Sequence, residues 1–260
     1  MHKVYLVQMK INPCEKKQNM LHARELILAA TPQKGSLIIL PEMFTTGYIP
    51  ENPETFAEEF ESSKAGATAK FLKELADETQ CYIQGAAIAK KADKITNHTS
   101  IFTWESDLEY ASYDKNRLFF AEKGKISAGS QISTFKLGAW TIAPTICYDL
   151  RFPELYRDYV KKGANLITVQ AAWPKCRQAH WTQLLVARAI ENQCYVVAAN
   201  CCGLDANKLE YAGNSMVIDP EGNIISQANY SEEKVLEADL DFEKMTLYRA
   251  KFPVLEGIFG

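Results

Sequence analysis

Apolar positions along the chain alternate between short strand-like runs and longer stretches of helical period. Val4–Ile11 reads as a strand and Glu15–Ala30 as an amphipathic helix. Leu37–Leu40 is a short, wholly apolar strand that ends in Pro41-Glu42. Beyond a loop through Pro50 and Pro53, Gly66–Thr79 predicts a helix with Phe71, Leu72, Leu75 and Ala76 on one face. Strands follow at Tyr82–Ala89, Thr99–Trp104 and Tyr110–Tyr113, and Ile132–Leu137 pairs with Trp140–Ile146 across Gly138-Ala139. The second half repeats the theme: helix Pro153–Lys162, strand Leu166–Ala172, helix Gln178–Asn192 and strand Tyr195–Asn200. A hairpin of Ser215–Ile218 and Asn223–Ser226 turns at Asp219-Pro220-Glu221-Gly222, before strand Val235–Leu240 and a short helix near Phe242–Ala250. No repeat of fixed period and no dividing linker interrupts the pattern. It predicts one layered α/β domain over residues 1–260, with helices covering sheets; spacing leaves open whether there is one sheet or two.

Composition narrows the functional classes. Of the 260 residues, 47% are hydrophobic, enough for a sizeable core, yet no apolar run reaches membrane-spanning length. The net charge of −3 comes without a basic stripe, which argues against nucleic acid and anionic membrane as partners. Met1–Val7 runs straight into a strand without a signal-peptide pattern. The seven cysteines (Cys14, Cys81, Cys147, Cys176, Cys194, Cys201 and Cys202) are odd in number and irregularly spaced, which points to a reducing cytoplasm. No CxxC pair occurs, the four histidines are scattered, and Cys201 and Cys202 alternate faces on an extended chain, so no metal site is expected.

Three residues stand where strands end. Cys147 follows the apolar run Trp140–Ile146 and precedes Pro153-Glu154-Leu155-Tyr156, a helix opened by proline. Backbone N–H groups and a helix dipole at that junction would pull the thiol pKa below its ordinary value. Glu42 emerges from Leu37–Leu40, and Lys115 from the strand ending at Tyr113. Taken singly, Cys147 reads equally well as an inert core thiol or an activated one, Glu42 reads as a surface carboxylate and Lys115 as a solvated charge. The segments around them, however, are too apolar for ordinary surface loops. Together they make a coherent set: Glu42 as general base, Lys115 with the Tyr148 N–H as oxyanion stabiliser, and Cys147 as nucleophile.

Pro41-Glu42-Met43-Phe44-Thr45-Thr46-Gly47-Tyr48, Tyr113-Asp114-Lys115 and Ile146-Cys147-Tyr148-Asp149-Leu150-Arg151-Phe152-Pro153-Glu154 resemble the three signature blocks of the nitrilase superfamily of carbon–nitrogen hydrolases. Trp173-Pro174, His180-Trp181 and Ala187-Arg188-Ala189-Ile190-Glu191-Asn192-Gln193 are similar to its ω-amidase branch, of the bacterial YafV type. The resemblance runs from Val4 to about Pro253. It implies an αββα sandwich that forms a homodimer and hydrolyses a non-peptide carbon–nitrogen bond through a thioester, without a cofactor. It also implies small amide substrates such as α-ketoglutaramate or α-ketosuccinamate. N-carbamoyl amino acids or deaminated glutathione are alternatives on the same three residues, and a non-enzymatic thiol or binding protein is a more distant one. Relatives carry a second glutamate after the lysine, a role that falls here to Glu122, the only acidic residue between Lys115 and Cys147. Two departures stand out: Arg117 occupies a place that is histidine in many relatives, and the tail Leu255–Gly260 is less acidic than expected.

The distal carboxylate of such a substrate needs a cation, and Arg151, Arg177 and His180 lie near the expected mouth. A structural pair with Asp149 is the favoured reading of Arg151, with substrate binding as its alternative. Tyr148, Trp173, Phe44 and Phe119, with Tyr48, are candidates for the apolar wall.

Overall fold

A computed structural model of the protein describes residues 2–60 and 64–259. Two six-stranded sheets lie face to face. The first has the order β12-β1-β2-β3-β4-β5 and is built from β1 (His2–Gln8), β2 (Leu37–Ile39), β3 (Tyr82–Lys91), β4 (Lys94–Thr103), β5 (Ser106–Asp114) and β12 (Lys234–Leu240). The second has the order β11-β10-β9-β8-β7-β6, formed by β6 (Phe135–Leu137), β7 (Trp140–Ile146), β8 (Leu166–Ala171), β9 (Tyr195–Asn200), β10 (Met216–Ile218) and β11 (Ile224–Gln227). Helices α1 (Lys16–Ala29) and α2 (Ala67–Thr79) cover the first sheet, and α3 (Pro153–Lys161) and α4 (Gln178–Asn192) the second. Two sheets and two helical layers make the αββα sandwich that the signature blocks implied. The remaining α-helices among the described residues are α5 (Phe242–Lys251), expected near Phe242–Ala250, and the short α6 (Glu256–Phe259), which was not expected.

Burial on both faces explains the unbroken apolar strands. Val4, Leu6, Leu37, Ile39, Val197 and Ala199 point between the sheets. Their neighbours Tyr5, Val7, Ile38 and Leu40 turn outward onto α1 and α2, while Val196 and Ala198 turn onto α3 and α4. Each sheet has a parallel centre, β1-β2-β3 in one and β7-β8-β9 in the other, flanked by antiparallel strands. Parallel strands end on the same side, so Leu40, Ile146, Ala171 and Asn200 gather at one rim. That arrangement places functional side chains at carboxyl ends of strands.

One patch between the sheets is polar. Gln170 donates to the Leu40 carbonyl at 2.6 Å, while Gln84 donates to Gln170 and to Thr168, each at 3.0 Å. All three side chains are fully buried, so their bonds offset a desolvation cost and cross-link β2, β3 and β8 just below the rim.

Strand β4 starts at Lys94 rather than at Thr99, and β5 at Ser106 rather than at Tyr110. The missed residues include Asn97 and His98, polar yet fully buried. His98 lies between Asp114 and Glu109, each at 2.8 Å from a ring nitrogen. Burial lowers its pKa, but the two carboxylates outweigh burial and the net direction is upward. A raised pKa means that the charged pair stabilises the fold fully below the unfolded histidine value, and that this contribution is lost as pH rises through the folded value. Replacing His98 with Gln should therefore cost about 3 kcal/mol near pH 6, because it strips a buried pair of one partner. The cost should shrink at alkaline pH, as measured by urea unfolding across that range.

Candidate active site

Glu42 leaves β2 through Pro41 and a tight turn. Met43 adopts φ 48°, and its carbonyl accepts the N–H groups of Thr46 and Gly47. Asn19 of α1 holds the turn from the other side, donating to the Thr45 carbonyl at 2.8 Å. The Glu42 carboxylate is fully buried: Oε2 accepts the Ala172 N–H at 2.9 Å, while Oε1 accepts from Asn97 Nδ2 and Lys115 Nζ, both at 2.8 Å.

Lys115 follows β5. Its N–H donates to the Asn97 carbonyl at 2.9 Å, and its own carbonyl accepts the Gly129 N–H at 2.8 Å. Only glycine fits there, because a Cβ at Gly129 would lie 2.2 Å from the Asp114 carbonyl oxygen. The ammonium meets a second carboxylate, Glu122 Oε1, at 2.9 Å. Glu122 also accepts from Asn97 at 3.0 Å and from the Phe119 N–H at 2.7 Å. Asn97, missed by the sequence reading, thus bridges both carboxylates. Its signal was the Lys91-Ala92-Asp93-Lys94 turn, which would have extended a hairpin back through it.

Cys147 follows β7 and opens a 3-10 turn, Cys147–Arg151. Its φ of 45° is left-handed, a conformation that costs an L-residue about 1–2 kcal/mol. Asp149 holds this turn. It accepts the Ile146 N–H at 2.9 Å, the Arg117 N–H at 2.9 Å and the Tyr113 hydroxyl at 2.8 Å, so one carboxylate joins the Cys147 turn to the Lys115 loop. Burial pushes Asp149 up to about 6 against the pull of those donors. The expected pairing of Asp149 with Arg151 is corrected, since its oxygens are engaged elsewhere. Arg117, where histidine was expected, sends its side chain to Glu154 (3.7 Å) and over the Phe152 ring (5.1 Å).

The electrostatics overturn a second expectation. Burial pushes the Cys147 thiol well above its ordinary pKa, and the Glu42 carboxylate adds to the effect, whereas Lys115 opposes it. Helix α3 begins only at Pro153, so Cys147 does not lie in its first turn. The raised pKa favours the thiol over the thiolate at rest. Burial alone would lower the Lys115 pKa, but Glu42 and Glu122 raise it well above the ordinary lysine value and keep the ammonium charged. Burial and the Glu42 charge raise Glu122, partly offset by Lys115.

Cys147 opens onto a small cavity whose walls include Tyr48, Phe119, Tyr148 and Trp173, with Arg151 and Arg177 at the same opening. Trp173 is nearly buried, its ring tilted 44° against Trp181 with ring centres 5.6 Å apart, and its indole N–H donates to the Arg177 carbonyl at 2.8 Å. Phe44 does not line this cavity: it is fully buried in the layer beneath α2, 6.1 Å from the Phe71 ring. Its place next to the Glu42 turn suggested a wall, but the Phe44 N–H donates to the Ala86 carbonyl of β3 and the ring packs against Phe71 of α2. His180, exposed at the start of α4, lies 3.4 Å from the Arg151 guanidinium. Of the other cysteines, Cys81, Cys194, Cys201 and Cys202 are buried, while Cys14 and Cys176 are exposed.

Comparison with known proteins agrees with this geometry. The family model described as Carbon-nitrogen hydrolase matches residues 3–250. The 2-oxoglutaramate amidase of Bacillus subtilis (strain 168) is 33% identical over 236 residues, covering 90% of this chain and 89% of that protein. The omega-amidase YafV of Yersinia enterocolitica is 33% identical over 253 residues, covering 96% and 94%. Among solved structures, XC1258 from Xanthomonas campestris is described as a CN-hydrolase superfamily protein with an arsenic adduct in the active site. It superposes with a TM-score of 0.90 at 30% identity, covering 99% of this chain and 98% of that one. The chain therefore belongs to the carbon–nitrogen hydrolase family.

Proposed function

We propose that the protein hydrolyses the ω-amide of small 2-oxo dicarboxylic acid monoamides, α-ketoglutaramate and α-ketosuccinamate, to the acid and ammonia. The observation that carries this reading is the buried Glu42–Lys115–Glu122 cluster next to the Cys147 thiol, which itself opens onto a cavity, in a chain similar to a 2-oxoglutaramate amidase and to omega-amidases. Glu42 takes the thiol proton as the sulfur attacks the amide carbon and forms a C–S bond. The carbonyl electron pair moves to oxygen, where the Lys115 ammonium and the Tyr148 N–H stabilise it. When the intermediate collapses, the C–N electrons leave with nitrogen, Glu42 returns the proton, and ammonia departs from a thioester. Water then attacks the same carbon, giving its proton to Glu42. The C–S bond breaks, and the sulfur recovers that proton.

Glu122 and Asn97 position these groups. Phe119, Tyr148 and Trp173 form the wall along the substrate chain, and Arg151 faces its carboxylate. The proposed assembly is a homodimer. Ile190 of α4 and Leu247, Phe252 and Val254 near the C-terminal end are large apolar side chains left exposed on this protomer, as an unpaired docking face would be. The proposed compartment is the cytoplasm, consistent with seven free thiols.

Purified protein should release ammonia from α-ketoglutaramate, and Cys147→Ala should release none; equal turnover by that variant would end the reading. Lys115→Ala should lose about 10²–10³-fold in kcat, the usual worth of an oxyanion donor. Glu42→Gln should separate the two properties of the thiol. Turnover should fall by about 10²–10⁴-fold with the base gone. The Cys147 pKa should nevertheless drop, because a negative neighbour is removed while Lys115 remains. Thiolate absorbance at ultraviolet wavelengths, titrated in both proteins, checks the direction.

A further inference from the structure

Two guanidinium groups share the mouth of the cavity. Arg151 lies over the Trp173 ring with its central carbon 4.6 Å from the ring centre, and Arg177 lies over the Phe119 ring at 5.6 Å. Both line the cavity that Cys147 opens onto. They repel each other: burial lowers the Arg151 pKa, and the Arg177 charge lowers it further. Other partly buried arginines are satisfied within the chain: Arg24 and Arg188 pair with Glu78 and Glu191, while Arg157 and Arg249 donate to the Glu191 and Gln193 carbonyls. No carboxylate among the described residues forms an ion pair with Arg151 or Arg177. Stacking on aromatic rings and the Trp173 bond to the Arg177 carbonyl hold the pair in place without neutralising it. Two held cations without an internal counter-ion form a site whose missing partner is an anion supplied from outside.

We propose that Arg177, acting with Arg151, is the residue that selects 2-oxo acid amides over the equally long amino acid amides. The inference rests on the amidase reading and adds the origin of its specificity. α-Ketoglutaramate and glutamine have the same chain, the same ω-amide and the same distal carboxylate, and differ only at the carbon beside that carboxylate. The first carries a carbonyl oxygen there, which accepts a guanidinium N–H. Glutamine carries an ammonium, which brings a third positive charge against two arginines and adds donors where none can be accepted. Selection is thus by repulsion as much as by attraction.

The test has a binding arm and a turnover arm. In the first, α-ketoglutaramate is titrated calorimetrically into Cys147→Ala and into Cys147→Ala/Arg177→Gln. The second variant should bind about 10–100-fold more weakly, the worth of a charge-assisted bond to a carboxylate. In the second, kcat/KM is measured for α-ketoglutaramate and for L-glutamine with the native protein, Arg177→Gln and Arg177→Glu. The preference for the 2-oxo acid should narrow in Arg177→Gln and narrow further, toward glutamine, in Arg177→Glu, mainly through KM. Equal binding by the two Cys147→Ala proteins, or one preference ratio in all three enzymes, would overturn the proposal. A native protein that hydrolyses neither amide would count against the amidase reading instead, and the binding arm would still decide the role of Arg177.

Discussion

The buried ammonium of Lys115 is the constraint around which the rest of the site is arranged. A lysine taken wholly out of water is stable only if compensated, and removing one partner from such an arrangement typically costs about 3–5 kcal/mol. Glu42 and Glu122 supply two carboxylates at 2.8 and 2.9 Å, and Asn97 donates to both, so neither anion is left short of donors. The charges are thereby locked into one geometry before any substrate arrives. Such preorganisation is what an oxyanion stabiliser requires, since nothing needs to reorient when charge develops. The same cluster keeps Cys147 protonated at rest, because a thiolate would sit against Glu42. In the proposed mechanism, nucleophile and base are thus poised by mutual repulsion of their charged forms, and the proton moves only when the sulfur has a carbon to attack.

The sandwich provides the rigidity that this arrangement demands. Glu42, Cys147 and the Ala172 N–H come from the ends of parallel strands in different sheets, and Lys115 from the end of an edge strand running the same way. Their relative positions depend on how the sheets are bolted together. The Gln170 bond to the Leu40 carbonyl ties the base of the Glu42 turn to β8, the strand that delivers Ala172. Asp149 does the equivalent work for Cys147 and the Lys115 loop. With these ties in place, a strained φ at Cys147 can persist, because the surrounding bonds over-determine it.

Much of this was legible in the sequence for a physical reason. Strands buried on both faces must be apolar throughout, so Leu37–Leu40, Trp140–Ile146, Leu166–Ala172 and Tyr195–Asn200 stood out, and polar residues placed directly after two of those runs stood out in turn. Where burial was polar, legibility failed. Asn97 and His98 broke the apolar pattern of β4 because they serve the site and an ion pair, and a hydrophobicity argument reads them as loop. Phe44 failed for a related reason: adjacency to Glu42 says nothing about which side of the sheet a side chain faces. The thiol pKa was misjudged because local motif reasoning counted a helix end and omitted Glu42, which arrives from a strand in the other sheet. Arg151 was paired with Asp149 by proximity in sequence, whereas the carboxylate is used by backbone and tyrosine donors from three segments. Long-range partners, not local ones, decided each of these cases.

The central claim is that Cys147 carries the acyl group of the substrate. Rapid acid quenching of the protein mixed with α-ketoglutaramate, followed by intact and peptide mass spectrometry, tests it directly. The account predicts a transient adduct equal to the substrate less ammonia, located on the peptide containing Cys147, that forms within a turnover and decays as acid is released. Ammonia production with no adduct at any quench time, or an adduct on another residue, would contradict it.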